Sequence, residues 1–146
     1  MTDEMSKILE AMIPLNLDDI IRMNRDAAQL YLTPDEEIMD LYAEIIPGEP
    51  KAVMDDWSFI TLSLSVPPMD QVMLLANVRG TTVTRLTSSV VKIDLDRQLV
   101  NTLSGSLYQL GVQHHGEPDV DQLMAVCAIF NSWGFGEFLG VSRFYF

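Results

Sequence analysis

Residues 57–66 alternate apolar and small polar side chains, and this run constrains the fold more than any other. From Ile60 onward, Ile60, Leu62, Leu64 and Val66 share one side, and Thr61, Ser63 and Ser65 share the other. A period of two with one apolar side predicts a strand half-buried in an antiparallel sheet. Pro67-Pro68 stops it. Residues 71–78 read as a second strand and 83–95 as a third, interrupted near Thr87-Ser88-Ser89. Short strands follow at 99–103 and 106–110, around Gly105. Gly80-Thr81 and Asp94-Leu95-Asp96-Arg97 mark turns. The expectation is an antiparallel β-meander of four or five strands over residues 57–111.

Helical patterns flank that block. Met5, Ile8, Leu9 and Met12 recur at helical spacing over 3–13, and Pro14 ends that segment. Asn16 can cap a second helix, with Asp18 and Asp19 in its first turn and Leu17, Ile20, Ile21, Ala27, Ala28 and Tyr31 along one stripe. Thr33-Pro34-Asp35-Glu36 has the form of a capping box, which predicts a third helix burying Ile38, Leu41, Tyr42 and Ile45 before Pro47-Gly48. Asp119 is placed to cap a helix over 118–133, whose buried side carries Val120, Leu123, Met124 and Cys127. Residues 138–146 suit a last strand. Helices, then strands, then a helix predict an α+β fold in one domain, 1–146. Its parts are an acidic helical region (1–46), the meander (57–111), the helix (118–133) and an aromatic tail (134–146).

The charge is unevenly placed. The chain carries a net −12, and residues 1–56 hold 14 acids against 4 bases. Residues 57–116 hold 3 acids and 4 bases. A chain without basic patches is a poor match for a phosphate backbone, so direct nucleic-acid binding is not expected. An acidic field instead steers basic protein partners. The residues that would present it are Asp18, Asp19, Asp26, Asp35, Glu36, Glu37, Asp40 and Glu44. Apolar runs fall short of the roughly 18–20 residues of a membrane span, and Met1-Thr2-Asp3-Glu4 is acidic where a leader would be basic. The expected location is therefore cytoplasmic.

Catalytic signatures are sparse. Cys127, the single cysteine, lies in the apolar run 124–130 and reads as a buried small hydrophobe. His114 and His115 are adjacent, and neighbours on an extended chain point apart, which makes a poor two-point metal site. Neither Gly134-Phe135-Gly136 nor Ser104-Gly105-Ser106 has the setting of a phosphate-binding loop. No cofactor, metal or enzymatic activity is expected. Trp133, Phe135, Phe138 and Tyr145 are dense near the C-terminal end and could form an apolar contact surface.

Over residues 72–111 the chain shows Gly80, Thr87-Ser88, Ile93-Asp94, then Asn101-Thr102-x-Ser104-Gly105-x-x-Tyr108-x-Leu110-Gly111. This resembles a segment of small uncharacterised proteins from plasmids and prophage-like elements of alphaproteobacteria. It departs where that segment carries arginines: Asn101 and Gly105 stand there instead. The resemblance implies a β-meander; read from the residues themselves, Gly80 and Gly105 permit turns, Thr87 and Ser88 hydrogen-bond at a strand break, and Tyr108 packs. It also implies the setting of a mobile element, where acidic inhibitors of the anti-CRISPR or anti-restriction type have a similar composition.

The expected function is a non-enzymatic acidic protein that engages a basic, nucleic-acid-binding surface of a host complex. One alternative is a self-associating assembly module using the aromatic tail. A second is a small enzyme using His114 or His115, which requires a concave pocket around them.

Overall fold

The computed structural model describes residues 11–143, together with Glu4 and Lys7. Among these residues a six-stranded sheet dominates: β1 (Ala28–Leu32), β2 (Val53–Ser65), β3 (Pro68–Val78), β4 (Thr84–Asp94), β5 (Leu99–Thr102) and β6 (Leu107–Leu110). The helices are α1 (Asp35–Met39), α2 (Val120–Ser132) and α3 (Gly136–Leu139), with a 3₁₀ turn at Asp18–Ile20. Consecutive strands pair antiparallel, and β6 returns to pair parallel with β2 through Val53↔Gln109 and Met54↔Leu110. That last pairing closes β2–β6 on itself, so the meander is a small barrel with β1 added at one side.

Four expectations are corrected here. The predicted second helix is the 3₁₀ turn followed by β1, and the third is only the five residues of α1. The meander has one strand more than predicted, because β1 joins it, and β2 begins at Val53. The predicted last strand over 138–146 is absent among the described residues: α3 occupies its start, and Phe144, Tyr145 and Phe146 lie outside them. The predicted helix over 3–13 also lies largely outside them.

Two buried clusters explain the sheet. Met54, Trp57, Phe59, Val72, Leu74, Ala76, Val90, Ile93, Val100, Tyr108 and Leu110 fill the barrel. Leu17, Ile20, Ile21, Ala28, Leu30, Ile60, Leu62, Met73 and Leu75 lie on its outer side under Leu123, Val126, Cys127 and Phe130 of α2. β3 is therefore buried on both faces, which is why Val72 to Ala76 is a continuous apolar run. Full burial of Phe130 contributes about 2–3 kcal/mol.

A bulge in β2 reconciles its two halves. The register against β3 slips between Asp55 and Ser58, and Asp56 takes φ 49°. Before the bulge, even-numbered Met54 faces the barrel; after it, odd-numbered Trp57 and Phe59 do. The extra residue changes which parity points inward. Gln122 of α2 pins the bulge: its Nε2 donates to the Asp56 carbonyl at 3.0 Å. Asp119 caps α2 as predicted, accepting from the Gln122 N–H at 2.9 Å. A second slip lies between β3 and β4 near Leu74, whose N–H donates to the Thr87 hydroxyl at 3.0 Å. Thr87 thus hydrogen-bonds at an irregularity, though β4 runs unbroken.

Candidate partner-binding groove

β2 has two edges, and one is shared. β3 runs along the first. On the second, β6 covers Val53 and Met54, and residues 112–114 continue past Trp57, whose N–H donates to the Val112 carbonyl and whose carbonyl accepts from the His114 N–H. From Ile60 onward β1 takes over that edge. Between the two neighbours, at Ser58, the sheet parts. The opening is a cavity of 180 Å³ reached by Thr33, Ser58, His114 and His115. Ser58 is buried, and its hydroxyl has no hydrogen-bond partner among the described residues.

A larger cavity of 420 Å³ adjoins it and shares Asp35, Ile38, Trp57, Phe59 and Gln113. Met39, Leu95 and Gln98 complete its wall. α1 and the turn after it pack Ile38 and Leu41 against the interior cluster. Together the cavities form a groove with an apolar floor and a polar rim.

The segment that supplies the near wall is strongly acidic. Residues 26–50 contain seven acids and no lysine or arginine. The bases that flank it are held elsewhere. Arg25 pairs with Asp18 at 2.6 Å, and the Lys51 ammonium sits 5.3 Å from the centre of the Tyr108 ring. The segment is anchored by backbone bonds at 2.9 Å, from the Ala43 N–H to the Ile93 carbonyl and from the Ile93 N–H to the Leu41 carbonyl.

The acids predicted to form one helical face do not share one. Asp18 and Asp19 sit in the 3₁₀ turn, where Asp18 is ion-paired and the Asp19 carboxylate accepts the Leu15 N–H at 2.9 Å. Asp26 lies exposed ahead of β1. Glu37 is half-buried and accepts from Thr61 (3.0 Å) and Tyr31 (3.2 Å). Asp35, Glu36, Asp40 and Glu44 remain exposed, with no ion pair among the described residues. Exposed apolar residues interleave with them: Met39 at 61%, Tyr42 at 46% and Ile45 at 71%. Tyr42 and Ile45 were predicted to be buried, and the short α1 turns them out instead.

Both histidines reach the smaller cavity. The His114 ring Nε2 lies 2.7 Å from the Glu117 carbonyl oxygen, and His115 is exposed. No side-chain hydrogen bond joins either ring to a carboxylate, hydroxyl or thiol among the described residues. There, too, no group of three His, Cys, Asp or Glu residues could hold a metal ion. Cys127 is buried in α2, and burial pushes its thiol up to about 11.

The C-terminal aromatics build a separate groove. Trp133, Phe135 and Phe138 border a cavity of 310 Å³ with Leu64, Val66 and Leu139. Phe135 packs on Phe130, with ring centres 5.0 Å apart, so it belongs mainly to the core. Trp133 and Phe138 remain exposed, and Tyr145 lies outside the described residues. No described helix is long and apolar enough to cross a membrane.

No protein-family model, curated protein or solved structure matches the chain.

Proposed function

We propose that this chain is a non-enzymatic binding protein that engages a basic surface of a protein partner through its acidic segment and the adjoining groove. The observation that carries this reading is the stretch 26–50, with seven acids and no base, which presents Asp35, Glu36, Asp40 and Glu44 beside exposed Met39, Tyr42 and Ile45. Acids attract a basic partner over a Debye length, and the apolar residues supply area to bury once contact is made. A more specific version, by analogy of composition with acidic inhibitors of mobile elements, is an inhibitor that covers a nucleic-acid-binding surface of a host complex.

The test is capture from a bacterial lysate on the immobilised chain, at low and high salt, against a Glu36→Lys, Asp40→Lys, Glu44→Lys variant. The reading predicts a basic protein retained at low salt, released by salt or competing nucleic acid, and not retained by the variant. Retention that ignores both salt and the reversals contradicts it.

A second reading, self-association, is favoured by the 310 Å³ groove between Val66 and the exposed Trp133 and Phe138. Sedimentation velocity separates the two: a concentration-dependent dimer lost on Trp133→Ser supports self-association, and a monomer at millimolar concentration removes it.

A further inference from the structure

We propose that the 420 Å³ cavity beside α1 receives a single arginine side chain of the partner, its guanidinium at Asp35 and its aliphatic stem on Ile38, Met39 and Trp57. The inference rests on the reading above and names the chemistry recognised at its centre. Three observations carry it. The floor is apolar and aromatic, which suits a methylene stem and a flat cation. The rim carries one carboxylate, Asp35, that is exposed and has no ion-pair partner among the described residues, and it borders both cavities. The remaining polar rim groups, Gln98 and Gln113, offer amide oxygens. The Gln98 Nε2 already donates to the Leu95 carbonyl at 2.5 Å, which leaves its Oε1 as the free end.

Charge complementarity selects the occupant. No described arginine or lysine lines the cavity, and Arg97, next in sequence to Gln98, is neutralised by Asp94: its Nε donates to the carboxylate at 2.9 Å, and its backbone N–H donates at 3.0 Å. An anion would meet Asp35 and be repelled. A purely apolar side chain would bury the floor but strand the Asp35 carboxylate at the rim. A guanidinium satisfies the carboxylate and two amide oxygens at once, because it presents five donors in one plane. The compact ammonium of lysine does this less well.

The experiment uses the full chain carrying Trp133→Phe, which leaves Trp57 as the sole tryptophan. Its emission is followed during titration with acetyl-Gly-Gly-Arg-Gly-Gly-amide and with peptides carrying citrulline, lysine or norleucine at the centre. The arginine peptide is expected to give a saturable change in Trp57 emission with millimolar affinity, and each replacement should weaken it by about fivefold or more. Asp35→Asn should cost about fivefold, and Asp35→Glu should recover most of it. Glu137→Gln, an exposed acid on α3 outside the groove, should change affinity less than about twofold. The proposal is overturned by a flat Trp57 signal, by a norleucine peptide that binds as well as arginine, or by equal losses from Asp35→Asn and Glu137→Gln. Failure here, with salt-dependent capture intact, removes only the groove assignment. Salt-independent capture removes the underlying reading.

Discussion

The buried hydroxyl of Thr61 donates to the Glu37 carboxylate at 3.0 Å, and this bond ties the acidic segment to the sheet. A hydroxyl has one proton, so the Thr33 hydroxyl, 2.9 Å from that of Thr61, must be the donor in the second bond. Glu37 also accepts from Tyr31. The chain from Thr33 through Thr61 to Glu37 has one direction and ends on a charge. Thr61→Val removes its middle and leaves the Thr33 hydroxyl buried without an acceptor. The expected cost is about 1–3 kcal/mol in urea unfolding. Glu37→Gln, which keeps an acceptor for Thr61, should cost less than Glu37→Leu. If Thr61→Val has wild-type stability, the network contributes nothing.

Asp55 and Arg79 join the bulged part of β2 to the end of β3. Arg79 donates to both carboxylate oxygens, at 2.7 and 2.9 Å, and the Val112 N–H donates to one of them at 2.9 Å. Those bonds hold the Asp55 carboxyl down to about 2, the Arg79 bond being the largest cause. A carboxyl whose folded value is depressed contributes stability that is complete above its unfolded value near 4 and is lost as pH falls through about 2. Asp55→Asn should therefore lower the urea midpoint at neutral pH, and the difference from wild type should close between about pH 4 and pH 2. A constant difference across that window contradicts the pairing. Gly111→Ala tests the same contact from another side. A Cβ at Gly111 would collide with Asp55 Oδ1, so the two substitutions should be less than additive.

The Cys127 thiol, buried on the inner face of α2 and pushed up to about 11, should be inert in the folded state. At about pH 8 a soluble aromatic disulfide reagent should label it only as fast as the protein opens, with full labelling in denaturant. Rapid stoichiometric labelling of the native chain would show that the inner face of α2 is not packed against the sheet.

Much of this was legible in the sequence, and the failures have identifiable causes. The alternation of Ile60, Leu62 and Leu64 reports a real face, because that part of β2 packs under α2. The same rule cannot be extended backward past Asp56, where the bulge reverses parity. Leu17, Ile20, Ile21 and Ala28 do share a buried cluster, as their spacing implies. They reach it through a 3₁₀ turn and a strand, with Asn24 at φ 55° between them. Burial was readable there, but the backbone route was not. The capping box failed to a distant competitor. The Thr33 hydroxyl bonds to Thr61, 28 residues away, and makes no cap bond to α1. The groove could not be read at all, since it exists only where β2 changes neighbours at Ser58. The acids were countable from the sequence, but which of them stay free depends on Arg25 and Thr61.

Binding through free acids is the central claim, and its most direct measurement is the dissociation constant for the captured basic partner as a function of salt. Wild type should weaken by about tenfold or more between about 0.05 M and about 0.5 M salt. The Glu36→Lys, Asp40→Lys, Glu44→Lys variant should bind weakly at every salt concentration while melting at the wild-type temperature. An affinity that is flat with salt and unchanged by the three reversals would contradict the account.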